Sequence, residues 1–105
     1  VALGPGRVQA VAFAELDGAS GAELVVARAE APTRAYAVRV SGLVASFRLF
    51  GPALGDGADD ARALRLADLD DDGAQDVLLA CFAAGDLAWR NAGGARFERF
   101  GIGPR

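Results

Sequence analysis

Short apolar runs alternate with glycines and charged clusters along the whole chain. In the second half, "ARALRLADL" (61–69) alternates small or apolar with polar residues, which is typical of a half-buried strand. "DVLLACF" (76–82) is a continuous apolar run of the length of a central strand, and the glycine of "AAGD" ends it. "LAWRN" (87–91), the tight turn "AGGA" (92–95) and "RFERFG" (96–101) follow. The pattern therefore predicts four strands joined by hairpins.

A helical alternative exists for one of these segments. "DDARALRLADL" (59–69) is rich in alanine, leucine and arginine, which are good helix formers. The neighbouring aspartate-rich loop and the glycines leave little room for helices elsewhere, so the strand interpretation is preferred.

The chain contains an internal repeat of two units. "AELDGASGAELVVA" (14–27) aligns with "ADLDDDGAQDVLLA" (67–80), an offset of 68 − 15 = 53 residues. A later marker, "FRLFGP" from Phe47 and "FERFGIGP" from Phe97, has an offset of 97 − 47 = 50. Four strands at this period are the size of one β-propeller blade. We therefore predict an all-β fold of two four-stranded antiparallel blades, a degenerate one over 1–50 and a second over 51–105.

The second unit carries a loop of carboxylates directly before an apolar strand. Oxygen-bearing side chains occupy loop positions one, three, five and nine, as Asp68, Asp70, Asp72 and Asp76. Gly73, at position six, permits a sharp turn, and the backbone carbonyl of Ala74 is placed as a further ligand. Calcium binds six to eight hard oxygens, and alternate residues of a tight loop can turn carboxylates onto one point. The spacing predicts a Ca²⁺ site in loop 68–76.

Two other interpretations of this loop compete with the calcium site. A helix–loop–helix calcium site needs a glutamate at position twelve, where this chain has Leu79, so that interpretation fails. A solvated acidic turn without an ion remains open. The first unit keeps acidic residues at positions one, three and nine, as Glu15, Asp17 and Glu23. Because Ala19 and Ser20 replace the middle carboxylate and the glycine, we expect weak or no calcium binding there.

Composition narrows the function classes. The 105 residues are 52% hydrophobic, carry a net charge of −3 and include no histidine. Without a basic cluster, nucleic acid is a poor partner, and no apolar stretch reaches the roughly 20 residues of a membrane span. Catalysis that needs histidine and metal sites built from histidine are therefore excluded. The single cysteine, Cys81, is expected to be a small buried hydrophobic residue. The aspartates are spaced to converge on a cation rather than to flank a glycosidic bond, so we expect no enzyme.

The residues resemble those of a known repeat family. "FG…ADLDDDGAQDVLLA" is similar to the FG-GAP/VCBS repeat, in which Phe-Gly precedes D-x-D-x-D-G-x-x-D and an apolar strand. The tail "LAWRNAGGARFERFGI" resembles the L-Y-R-N-x-G-x-G-x-F segment of the branch related to cartilage acidic protein. The resemblance implies secreted or cell-surface blades that bind calcium and serve adhesion or protein binding, without catalysis. The first unit departs from the pattern at Ala19 and Ser20.

Two blades cannot close a propeller, which typically has about four to eight. The expected partners are therefore other blades, supplied by the same longer chain or by identical subunits; three copies would give six blades. The absence of an initiator methionine favours a piece of a longer chain.

A carbohydrate-binding propeller is the alternative function. An aromatic platform beside polar groups is common in sugar sites, and Trp89, Arg90 and Asn91 form such a group in sequence. Packing between blades is the preferred explanation of Trp89. Tyr36 and the arginines along the strands are expected at the blade surface.

Overall fold

The chain forms eight β-strands in a computed structural model that describes residues 7–17, 22–55, 60–81 and 85–101. The strands are β1 (Val8–Ala14), β2 (Ala22–Arg28), β3 (Arg34–Ser41), β4 (Val44–Leu49), β5 (Ala61–Ala67), β6 (Asp76–Cys81), β7 (Gly85–Gly93) and β8 (Arg96–Arg99). In sequence order, β1 to β4 make one antiparallel sheet, sheet 1, and β5 to β8 make another, sheet 2.

The predicted all-β class and the two four-stranded antiparallel sheets are confirmed, and no helix occurs among the described residues. Neither sheet closes on itself, so the propeller stays a prediction, as does the division of the chain at residue 50. Within the described ranges, no helix is long and apolar enough to cross a membrane.

Burial explains why residues 61–67, the part of this segment that forms β5, make a strand rather than the alternative helix. In β5 the side chains of Ala61 and Leu64 are buried, whereas those of Arg62 and Arg65 are exposed. A small bulge near Ala61 lets the two buried positions share one face despite their spacing of three. The helical alternative is wrong, because these residues pair with β6 as a strand that places both Leu64 and Leu66 on one sheet face.

The two sheets have the same strand register, position by position. Ala10 pairs with Ala27 in sheet 1, and the residues 53 positions later, Ala63 and Ala80, pair in sheet 2. Both sheets also carry the register shift at the start of the first strand. At the last hairpin the offset between the units drops from 53 to 50 residues. Val38 pairs with Phe47 in sheet 1, and Asn91 pairs with Phe97 in sheet 2, so the second hairpin is three residues shorter. The two units therefore share one backbone plan.

Each sheet has two faces, which we call front and back. The front face of sheet 1 is formed by larger apolar residues, namely Val11, Phe13, Leu24, Val26, Tyr36, Val38 and Phe47. Its back face is formed mostly by alanine, namely Ala10, Ala12, Ala14, Val25, Ala27 and Ala35. The equivalent front face of sheet 2 comprises Leu64, Leu66, Val77, Leu79, Leu87, Trp89 and Phe97.

The front face of sheet 2 packs against the back face of sheet 1 to make one shared core. Val25 and Ala27 of sheet 1, and Val77 and Leu79 of sheet 2, have no exposed surface. β5 lies over β1 and β2 in this arrangement. Large side chains of one sheet thus fill the space above the small side chains of the other, as close packing requires.

Two sequence-based expectations about individual residues need correction. Tyr36 is buried rather than exposed, because its ring lies on the front face of sheet 1 and its hydroxyl accepts a 2.6 Å hydrogen bond from Arg28. Arg28 is itself only 2% exposed, and its guanidinium stacks 5.6 Å from the centre of the Tyr36 ring. Cys81 is half-buried at the edge of the shared core rather than fully enclosed.

The Phe-Gly marker after β4 joins the two units. The rings of Phe50 and Phe97 meet edge to face, with centroids 6.4 Å apart. Gly51 has a φ of +78°, and a Cβ there would lie 2.6 Å from the carbonyl oxygen of Ala95 in the β7–β8 turn. Glycine is therefore needed at this position both for its backbone conformation and for the close approach.

Candidate metal centre

The aspartate loop connects β5 to β6 at one end of sheet 2. Gly73 has a φ of +92°, and a Cβ there would meet nothing within 4 Å. The turn thus requires glycine for its backbone conformation and not for space. Asp71 also adopts a positive φ, of +60°, which aspartate tolerates better than most residues.

The loop is closed by its own first aspartate. Asp68 accepts a 3.0 Å hydrogen bond from the amide of Asp72 through Oδ1 and a 2.7 Å bond from the amide of Gly73 through Oδ2. Asp72 in turn accepts from the amide of Ala74 at 3.0 Å. These bonds hold the backbone in a tight curve, so that alternate side chains point to its inner side. Coordination by the carbonyl of Ala74 stays a prediction.

Asp76 anchors the loop to the sheet. This residue has no exposed surface, and its Oδ2 accepts from the amide of Leu69 at 2.9 Å. Its Oδ1 accepts from the amide of Asn91, on the neighbouring strand β7, at 2.8 Å. A buried carboxylate that satisfies two backbone donors on separate segments fixes the position of the loop relative to the sheet.

The four predicted aspartates converge. Asp68, Asp70, Asp72 and Asp76 each offer one carboxylate oxygen, and these oxygens lie within 4.8 Å of one another. Calcium–oxygen distances are about 2.3–2.6 Å, so ligands on opposite sides of the ion are about 4.6–5.2 Å apart. The cluster could therefore hold a metal ion of this size. Asp68, Asp70 and Asp72 are also exposed to solvent, which leaves room for water ligands.

A guanidinium already lies among these carboxylates. Nε of Arg90 is 2.9 Å from Oδ2 of Asp70, and its terminal nitrogens are 3.6 Å from Asp72 and 3.0 Å from Glu98. Arg90, predicted as a possible ligand-binding residue, is thus directed toward the aspartate loop. Its positive charge offsets part of the repulsion among the aspartates.

The proton affinities of two loop aspartates move in opposite directions. Desolvation acts to raise the pKa of Asp70, but hydrogen bonds from Arg90 and with Asp72, together with the Arg90 charge, outweigh it and lower that pKa. For Asp72 the amide of Ala74 acts to lower the pKa, but desolvation and the charges of Asp70 and Asp68 outweigh it and raise that pKa. One arginine therefore does not neutralise the whole loop.

The other two predicted ligand-binding residues have separate surroundings. Trp89 is half-buried against the shared core, with the guanidinium of Arg99 5.2 Å from its ring centre. Asn91 is buried and links the two units, because its side-chain nitrogen Nδ2 donates to the carbonyl of Leu16, in the β1–β2 loop, at 2.8 Å. Its side-chain oxygen accepts from Gly93 at 3.0 Å. A sugar-binding role for this group stays a prediction.

An open cavity of about 620 Å³ lies elsewhere, at the end of sheet 1. Its lining includes Asp17, Glu23, Arg39, Phe47 and Arg48. Trp89, Arg90 and Asn91 do not line it.

The equivalent loop of the first unit also brings its acidic residues together. Carboxylate oxygens of Glu15, Asp17 and Glu23 lie within 4.8 Å of one another. Glu23 is buried and accepts from the amides of Leu16 at 2.6 Å and Asp17 at 3.2 Å. Desolvation, followed by the charges of Glu23 and Asp17, raises the pKa of Glu15.

Sequence reasoning did not predict that these three residues converge, although the 53-residue alignment carried the signal. Ala19 and Ser20, on which the expectation of weak calcium binding rests, lie outside the described residues.

Comparisons with protein-family models, with curated proteins and with solved structures give no match to this chain. The resemblance to FG-GAP/VCBS repeats therefore stays a prediction.

Proposed function

We propose that the chain is a calcium-stabilised β-propeller module that acts as a non-catalytic scaffold or binding surface for adhesion or protein interaction. Its sheets are blades of the FG-GAP/VCBS type, its partners are further blades, and its setting is extracellular or the cell surface. The observation that carries the proposal is the convergence of four aspartate oxygens within 4.8 Å at the start of β6. The matching strand register of the two sheets supports the blade repeat.

Calcium is preferred over magnesium because of the geometry and exposure of the loop. Magnesium demands near-octahedral coordination at about 2.0–2.1 Å, whereas calcium accepts irregular sets of oxygens and water at longer distances. The cluster contains four carboxylates and one nearby guanidinium, that of Arg90. Its net charge is therefore negative, which favours a divalent cation.

The arrangement also favours a non-catalytic role. Carboxylates that cleave a glycosidic bond with inversion stand roughly 6.5–9.5 Å apart, and those of retaining enzymes about 5–5.5 Å apart, on either side of the bond. Here the carboxylate oxygens lie within 4.8 Å of one another in one loop, and one of the four residues is fully buried. This grouping suits a cation better than a substrate.

Thermal unfolding in calcium and in chelator tests the metal site. Calcium at about a hundred times its dissociation constant is expected to stabilise the wild-type chain by about 2.7 kcal/mol. For a domain of this size this corresponds to a rise in melting temperature of roughly 10–20 °C. Asp70→Ala should abolish the calcium-induced rise, because it removes one of the four converging carboxylates.

Asp71→Asn is the matched control. It removes one negative charge from the same loop, asparagine tolerates the positive φ, and Asp71 is not among the converging residues. The control should keep the calcium-induced rise. An unchanged melting temperature of the wild-type chain in calcium would refute the metal site.

A further inference from the structure

In the described structure, the front of sheet 1 and the back of sheet 2 have no other sheet packed on them. The equivalent faces in the other unit, the front of sheet 2 and the back of sheet 1, pack against each other. The front of sheet 1 exposes apolar side chains on three of its strands: Val11 is 53% exposed, Phe13 70%, Val40 67% and Leu49 54%. The equivalent front of sheet 2 is the face that packs against the back of sheet 1. The open front of sheet 1 is thus equivalent to a face that is buried in sheet 2.

The two front faces match in part of their central rows. Leu24 pairs with Tyr36 in sheet 1, and their counterparts 53 positions later, Val77 and Trp89, pair in sheet 2. Phe13, beside Leu24, has the counterpart Leu66. Both faces therefore present large apolar side chains at these places, although Leu24 and Tyr36 are already largely buried within sheet 1.

The two back faces match as well, and both are lined by small side chains. The open back of sheet 2 comprises Ala63, Arg65, Ala67, Leu78, Ala80 and Ala88. Four of these are alanines that stand 53 positions after Ala10, Ala14, Ala27 and Ala35 of the back of sheet 1. A large-residue front packed on a small-residue back is the arrangement of the shared core.

Arginines break this correspondence on both faces. On the front of sheet 1, Arg34 stands where sheet 2 has Leu87, and Arg28 stands where it has Cys81. Arg65 stands where the back of sheet 1 has Ala12. Its side chain is exposed at the surface and donates to the carbonyl of Leu64 at 3.1 Å. An arginine can lay its apolar stem along a neighbouring surface while its charge stays in water, so the open back remains able to receive another sheet, with weaker packing than inside the chain.

We propose that the front face of sheet 1 docks on the back face of sheet 2 of a second copy of this chain, repeating the packing that joins the two sheets within one copy. The contact is head-to-tail, since it uses two different surfaces. Each copy can therefore receive one neighbour and donate to another, which gives a closed ring or an open filament. This inference deepens the blade part of the proposed function and does not depend on the calcium loop.

Light scattering and sedimentation of the 105-residue chain, in chelator and in calcium, test the contact. The wild-type chain is expected to self-associate with increasing concentration in both conditions. Phe13→Asp on the open front and Ala80→Arg on the open back should each give monomers, because each removes one of the two surfaces. Leu43→Asp is the matched control, since Leu43 is fully exposed in the β3–β4 turn, and this variant should associate like the wild type.

Mixing the two variants tests the head-to-tail polarity. Phe13→Asp keeps an intact back and Ala80→Arg keeps an intact front, so the mixture should form a one-to-one dimer that grows no further. If Ala80→Arg alone still dimerises while Phe13→Asp does not, the contact is front to front and the proposal is overturned.

A wild-type chain that stays monomeric at every concentration also overturns the proposal. The melting temperature in calcium, measured on the same samples, shows separately whether the calcium site holds. Val11→Asp, at a second exposed position of the same front whose counterpart Leu64 lies in the shared core, should repeat the effect of Phe13→Asp and guards against a folding defect peculiar to one variant.

Discussion

At the scale of single residues, Arg90 supplies a positive charge where the aspartate loop would otherwise repel itself. Its guanidinium contacts Asp70 and Asp72 on one side and Glu98 on the other. A calcium ion between the carboxylates would compete with this guanidinium for the same oxygens. If the proposed calcium site holds, Arg90 would neutralise the loop when calcium is low and the metal would do so when calcium is high.

Arg90→Gln is expected to strengthen calcium binding several-fold, because it removes the competing charge and leaves the four carboxylates in place. In chelator the same variant should melt at a lower temperature than the wild type, since the aspartates then repel without a counter-charge. Calorimetric titration with calcium and thermal unfolding in chelator measure the two effects.

Arg48→Gln is the charge-matched control, because Arg48 is an exposed arginine on β4 of sheet 1. It should leave the calcium affinity unchanged. Weaker calcium binding by Arg90→Gln would show that the arginine supports the metal site instead of competing with the ion.

The sequence allowed the four aspartates to be named, because carboxylates at alternate positions around a glycine converge whenever the loop is tight. It did not allow the role of Arg90 to be found. That role depends on strand register, which brings β7 alongside a loop 20 residues earlier in the chain. The buried partnership of Arg28 with Tyr36 was missed for the same reason, since the two residues meet across paired strands.

At the scale of elements, the strands of sheet 2 were predictable because burial on a sheet face repeats every second residue. β6, with its run of apolar residues, was also predictable as a central strand, and it lies between β5 and β7. The face on which each sheet packs was not predictable. β2 is buried on both faces from Glu23 to Arg28, so its sequence does not distinguish front from back.

The Phe-Gly segment after β4 leads to a prediction about how the units are joined. Gly51→Ala should destabilise the fold, because the new Cβ would lie 2.6 Å from the backbone oxygen of Ala95, which cannot move without disturbing the β7–β8 turn. Gly42→Ala is the control, since Gly42 has a similar positive φ of +61° but nothing within 4 Å of a Cβ.

Both substitutions carry the cost of a left-handed backbone, about 1–2 kcal/mol. Gly51→Ala should lose about 1–3 kcal/mol more, the typical cost of overpacking. Urea unfolding of the two variants gives the difference. Equal losses for both would mean that the approach of Gly51 to Ala95 contributes nothing to stability.

At the scale of the whole molecule, one core holds both sheets together. Leu79, on the front of sheet 2, has no exposed surface and belongs to the same cluster as Val25 and Ala27 of sheet 1. Because the small back of sheet 1 is covered by the large front of sheet 2, neither sheet keeps its burial if the other unfolds. The chain should therefore unfold as one cooperative unit despite its internal repeat.

Leu79→Ala tests this cooperativity. The substitution leaves a cavity in the shared core and should lower the free energy of unfolding by about 2–5 kcal/mol. Trp89, the single tryptophan, reports on sheet 2 by fluorescence, whereas far-ultraviolet circular dichroism reports on both sheets. The two signals should change at the same urea concentration in the wild type, and both should shift by the same amount in the variant. A fluorescence transition that precedes the dichroism transition would show that sheet 2 unfolds while sheet 1 persists, and that the shared core does not couple them.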